Sequence, residues 1–242
     1  MSGIQQAGPG MSSRIAGFSY VLVILIGIMK VNLIDPAVLV PGDGDPGSQI
    51  LASELLFRTG IACEVLMYLL VVVLSLALYA IVKPIHKELA RSALLFRFGE
   101  AIIGVITVIL SGLIPLLILQ NDQAFDKNLT DVLIESFLDV RVAGLNIVLI
   151  FIGVGGSIYC YLFYRSWIVP RILAAWGIFT YVSMWILGFL NIILPARPDI
   201  FETVLFTLGG LFEVIFGFWL FFKGVNFDKW KNQTTRMSAL QK

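Results

Sequence analysis

Three ionisable residues stand in surroundings where charge is expensive. Arg97 and Glu100 lie three residues apart in one apolar run, and Glu213 lies in another. On a helix, residues i and i+3 share a face, so Arg97 and Glu100 are placed to pair. Glu100 is nine residues from Arg91 and Glu213 is ten before Lys223, which puts both acids at similar depth near the middle of a membrane. Arg97 sits about 4.5 Å nearer the base-rich side. One arginine can neutralise one of the two acids. The other must take up a proton or face water, because a lone charge in hydrocarbon costs several kcal/mol. The chemistry open to such a trio is cation binding or proton relay. The plainer alternative is an ion pair that fixes how two helices pack, with Arg97 also able to reach the headgroups.

A second group lies toward the opposite surface. Glu64 is 19 residues from Lys83, with Arg58 six residues before it, and Asp139, Arg141 and Asn146 open a later apolar run at a comparable level. These side chains can line a vestibule; contact with water at the rim and capping of loops account for them equally well. Other chemistries are excluded. The single histidine, His86, lies in the basic turn KPIHKELAR, where it is a poor ligand and a weak base. Cys63 and Cys160 fall within apolar runs and make neither a CxxC pair nor a disulfide framework. The GVGGS stretch at 153–157 has no lysine after it and no soluble strand before it, so Gly153 and Ser157 read as a packing surface. No catalytic residue, metal or cofactor is expected.

The elements that must hold these residues follow from composition. Of 242 residues, 58% are apolar and 14% charged, against about 45–50% and about 25% in soluble domains. Mean hydropathy is +0.92. Polar residues are too few to cover a soluble surface. The apolar residues come in continuous stretches of about 20, enough as helices for about 30 Å of hydrocarbon, and without the alternation of a barrel strand. The expected fold is all-α: a polytopic bundle of six transmembrane helices at about 14–33, 56–82, 94–120, 141–164, 171–194 and 202–223. Residues 1–13 are expected as a flexible N-terminus, 14–227 as one six-span domain with its first apolar run retained, and 228–242 as a basic tail. Pro115 should bend the third span. Pro41, Gly42, Gly44, Pro46 and Gly47 disfavour regular structure after span one, and Ala37–Val40 is apolar enough to rest on the interface. Ser48 offers an N-cap for a helix from about Gln49 running unbroken into span two.

Loop charge alternates across all six spans. Loop 34–55 carries Asp35, Asp43, Asp45 and Glu54; loop 121–140 carries Asp122, Asp126, Asp131, Glu135 and Asp139 against Lys127; loop 195–201 holds Arg197 and Asp199. Opposite these, Lys83, Lys87 and Arg91 face Glu88, Arg165 and Arg171 flank the next turn, and Lys229, Lys231, Arg236 and Lys242 follow Lys223 against Asp228. Basic loops mark the cytoplasmic side, so both termini are expected there. Tyr159, Tyr161, Tyr164, Trp167, Trp219 and Trp230 are expected on that side as an anchoring belt at headgroup level. A net charge of +1 offers nothing to nucleic acid. The expected partners are membrane lipids, and beyond them a second copy of the chain or another membrane protein.

Five stretches resemble a known family. LVPGDGDPGSQILASELLFRTGIACEVL is similar to its first outer loop, LYAIVKPIHKELA to its cytoplasmic turn, RVAGLNIVLIFIG to its fourth span, YLFYRSWIVPRILA to the turn into the fifth, and WLFFKGVN to its C-terminal signature. In this order they cover roughly residues 12–227 and resemble the bacterial family called domain of unknown function, number 4386. The resemblance implies a six-helix integral protein of a bacterial plasma or inner membrane, with no assigned catalytic or binding residues. Asp43, Glu54, Arg58, Arg97, Asn146, Pro170, Arg171, Lys223 and Gly224 match its recurring polar pattern.

Three functions compete. A small-molecule or proton-coupled transporter, or a component of one, fits six spans with a midplane carboxylate. A lipid-modifying enzyme would need a clustered acid, base or metal set, which one histidine and no HExxH do not supply. A non-catalytic sensor or scaffold is allowed by the acidic outer loops and basic tail. The charge alternation makes a direct prediction. In a chain lacking Cys63 and Cys160, Asp126→Cys and Lys231→Cys are labelled by an impermeant thiol reagent from opposite sides, the first from outside. Labelling of both from one side overturns the topology.

Overall fold

The computed structural model describes residues 8–38, 45–121, 126–194 and 200–240. In chain order the helices are α1 (Pro9–Ile34, continued by a helical turn Asp35–Val38), α2 (Pro46–Ala52), α3 (Glu54–Val82), α4 (Lys87–Gln120), α5 (Lys127–Ser166), α6 (Arg171–Ile193), α7 (Ile200–Phe222) and α8 (Phe227–Leu240). Six of them, all but α2 and α8, are long and apolar enough to cross a membrane, and the described residues contain no strand. Each of the six packs on the next in sequence, and α7 packs back on α1, so the bundle closes into a ring. The outward faces carry exposed Leu55, Leu95, Ile172, Phe179 and Phe222, the surface that lipid covers.

Ring closure depends on two glycines. A Cβ on Gly17 of α1 would lie 2.4 Å from the backbone nitrogen of Phe221 and 2.6 Å from the carbonyl of Gly217 on α7. Only hydrogen fits there, and the two backbones touch. Beside this contact Tyr20 meets Phe216 edge-on at 5.7 Å, and Phe216 in turn stacks on Phe212 at 5.3 Å. The α5–α6 contact is built similarly: a Cβ on Gly153 would meet the Tyr181 carbonyl at 2.6 Å, and one on Gly156 would meet the Tyr181 ring.

The two ends of the ring differ. At one, Ser13 donates to the Leu220 carbonyl at 2.8 Å, the Asn226 amide to Ile168 at 2.8 Å, and the Trp230 indole to Ile81 at 2.9 Å. These bonds gather the start of α1, the end of α7, α8 and both base-rich turns. His86 there acts as an N-cap, its Nδ1 accepting from the Leu89 amide at 3.3 Å. At the other end α2 lies over a second core of Ile34, Val38, Ile50, Phe57, Leu116, Leu119 and Ile134. Helix α5, at 40 residues about 60 Å long, extends well past the hydrocarbon to supply Ile134.

The structure revises several expectations. The cap of α2 is Asp45, not Ser48: its carboxylate accepts from the Gly47 amide at 2.9 Å, and Pro46 takes the first helical position, where its missing N–H does no harm. The helix also does not run unbroken into span two, because Ser53 leaves helical geometry (φ −125°, ψ 33°), which lets Ile50 turn into the core. Val38 is buried and does not rest on the interface, whereas Pro41, Gly42, Asp43, Gly44, Asp122, Arg197 and Asp199 lie outside the described residues. At Pro115 the chain forms a π-helical segment, Ile109–Leu113, just before the proline; the wider turn takes up the hydrogen bond that proline cannot return. Tyr159 leaves the anchoring belt altogether, being fully buried.

Gly17→Ala should force α7 off α1 and cost about 1–3 kcal/mol. Gly210→Ala, on the partner helix α7 with nothing within 4 Å of its Cβ, is the control and should be neutral or slightly stabilising. Thermal unfolding in detergent separates the two. Equal unfolding temperatures would refute closure by glycine contact.

Candidate functional site

All six membrane-crossing helices send polar side chains into the ring. Tyr20 comes from α1, Ser75 from α3, Arg97 and Glu100 from α4, Tyr159 from α5, Tyr181 from α6 and Glu213 from α7. Arg97 and Glu100, each 3% exposed, meet at 2.7 Å through Nη1 and Oε2. The contact is a charge pair without hydrogen-bond alignment, since neither atom has a hydrogen-bond partner. The guanidinium is held from α3 instead: Nε donates to Ser75 Oγ at 3.4 Å, and Ser75 Oγ donates to the Val71 carbonyl at 2.7 Å. Tyr159 donates to the Ser75 carbonyl at 3.0 Å. Room for the arginine stem comes from Gly155, whose Cβ would lie 2.9 Å from Arg97 Cγ.

Glu213 is half-buried, and the Tyr181 hydroxyl donates to its Oε1 at 2.9 Å. That uses the only proton on Tyr181. The Tyr20 hydroxyl, 2.8 Å from that of Tyr181, therefore donates to it. The result is a directed relay, Tyr20 to Tyr181 to Glu213, across α1, α6 and α7. Arg97 lies within electrostatic reach of Glu100, Tyr181, Tyr20 and Glu213. Of the trio expected from sequence, then, Arg97 and Glu100 are in contact, and Glu213 shares their field while bonding to Tyr181.

The second group divides. Glu64 and Arg141 form a close ion pair, joined by two residues not singled out in the sequence: Lys30, 3.3 Å from Glu64, and Asp35, 2.6 Å from Lys30. They border a cavity of about 10 Å³, at the lower limit for one water. Both π-helical segments of the described chain reach it, Lys30–Ile34 through Lys30 and Ile34, and Ile109–Leu113 through Gly112. Arg58 pairs with Glu54 one turn away on an exposed face, Asp139 is exposed, and Asn146 accepts from Asn191 of α6 at 2.7 Å; none of the three lines this cavity. Tyr68 of α3 lies within electrostatic reach of Glu64 and Arg141 and also of Glu100. The one signal that Lys30 offered was its place as a lone base near the end of an apolar run. Tyr20, Tyr68, Ser75 and Tyr181 carried no signal beyond being polar at mid-span.

A family model described as domain of unknown function (DUF4386) matches residues 15–224, and the chain belongs to that family. No curated protein and no solved structure matches it.

The Arg97–Glu100 pair predicts a strongly non-additive mutant cycle. Arg97→Met strands a buried carboxylate and should cost about 3–5 kcal/mol, whereas Arg97→Met with Glu100→Met should regain most of that loss. Unfolding of the purified variants in detergent measures both. A double variant no more stable than the single would show that Glu100 is not the principal partner of the guanidinium.

Proposed function

We propose that this member of the family couples protonation of Glu213 to the movement of a proton or small solute across the membrane, with both termini in the cytoplasm. The observation that carries this reading is the charge count inside the ring: two carboxyl groups, one guanidinium, and a hydroxyl relay ending on the carboxyl that the guanidinium does not touch. A purely structural pair needs no third ionisable group. The Glu64–Arg141 pair, with Tyr68 in electrostatic reach of it and of Glu100, supports access from the acid-rich end. Toward the base-rich end the interior is filled by Ile81, Phe163, Phe216 and Leu220, an apolar plug of the kind that closes a path. The basic residues at that end, Lys83, Lys87, Arg91 and Arg171 among them, support a cytoplasmic assignment. The same plug favours a second reading, a sensor that registers protonation and passes nothing.

The test uses full-length protein in vesicles loaded with a pH-sensitive dye, under an imposed membrane potential. Wild type should acidify the lumen, and Glu213→Gln should lower the flux about 100-fold or more with unfolding temperature unchanged. Tyr181→Phe should slow it. Absence of flux in wild type, with a pH-dependent unfolding temperature that Glu213→Gln abolishes, would select the sensor. Flux and pH dependence both untouched by Glu213→Gln would overturn both readings.

A further inference from the structure

At the base-rich end a second feature has no role in the proton chemistry. An open cavity of about 450 Å³ lies between the α5–α6 turn and the end of α7, within the range of small-molecule sites. Two turns in left-handed geometry shape it. Trp167 (φ 59°) ends α5 and is the one non-glycine residue with positive φ among those described, and Gly224 (φ 68°) ends α7. The Asn226 amide, donating to the Ile168 carbonyl at 2.8 Å, locks the two turns together. A bulky side chain in this conformation is sparsely populated unless its surroundings hold it there. Here Arg171 does so, its guanidinium 3.4 Å from the centre of the Trp167 ring.

The lining is cationic. Arg171, Lys223 and Lys229 border the cavity, and none of its described lining residues is acidic. Trp219 also lines it, and its indole Nε1 is buried without a hydrogen-bond partner. An indole N–H only donates, so the missing partner is an acceptor. Three cations around a cavity with no acidic residue in its described lining point to an anion such as a phosphate. Near this site Phe218, Phe222 and Ile172 are exposed on the membrane-facing helices, where acyl chains lie. We propose that this cavity binds the phosphate of an anionic phospholipid headgroup, with Lys223 and Lys229 neutralising its charge. Arg171 keeps its stacked position and adds to the positive field.

Native mass spectrometry of the full chain, released from detergent with phosphatidylglycerol or zwitterionic phosphatidylcholine, tests this directly. Wild type should retain phosphatidylglycerol at least about 10-fold more tightly. Lys223→Gln with Lys229→Gln should weaken that binding about 10- to 30-fold, at about 1 kcal/mol per basic residue, and leave phosphatidylcholine unchanged. Lys223→Arg with Lys229→Arg should keep it, which separates loss of charge from loss of fold. Equal retention of the two lipids by wild type, or phosphatidylglycerol binding unaltered in the glutamine variant, would overturn the site. So would inorganic phosphate stabilising wild type and not the glutamine variant, with no preference between lipids, because the cavity would then hold free phosphate.

Discussion

A guanidinium 3% exposed inside a membrane-embedded bundle dictates much of what surrounds it. Arg97 cannot shed its proton, and a charge in a low-dielectric interior is tolerated only with an opposite charge and dipoles around it. Its own helix supplies Glu100 and no further group close enough, so the neighbours must complete the shell. Ser75 answers from α3, its carbonyl held in turn by Tyr159 of α5, and Glu213 answers from across the ring through the field. A closed ring suits this need. Six helices facing one axis can each present a side chain to a single charge, whereas helices in a flat row present theirs to two neighbours at most.

The sequence disclosed the charges better than the hydroxyls. Arg97, Glu100 and Glu213 stood out because an ionisable residue in an apolar run has a known cost, and helical spacing placed the first two on one face. Glu64 and Arg141 were recognisable by depth alone. Tyrosine gives no such alarm: it is as common at a headgroup belt as in a core, and only packing, such as that of Tyr68 on Gly104 and Tyr181 on Gly156 of neighbouring helices, decides between them. Lys30 was missed through its setting near the end of an apolar run, where lysines commonly reach the headgroups. It turns inward because a π-helical turn follows, bringing Asp35 within reach five residues on.

The helix borders show a similar division. Apolar content located the six helices, since length and hydropathy alone decide which segments cross. Local competition decided the ends. At residues 45–48, Asp45, Pro46 and Ser48 all satisfy rules for starting a helix, and the earliest won because a proline just after a capping carboxylate needs no donor. Ser53 broke the helix for a tertiary reason, the burial of Ile50, which no local rule contains.

Closure of the ring by α7 has a consequence for how the protein is made. A chain leaving the ribosome inserts its helices in order, and each new one finds its predecessor already in place. The first helix, however, must wait for the last before the bare backbone at Gly17 is covered. Until then α1 offers a small-residue face to the bilayer, open to any other helix that can approach as closely. The relay from Tyr20 through Tyr181 to Glu213 is equally incomplete until α7 has packed.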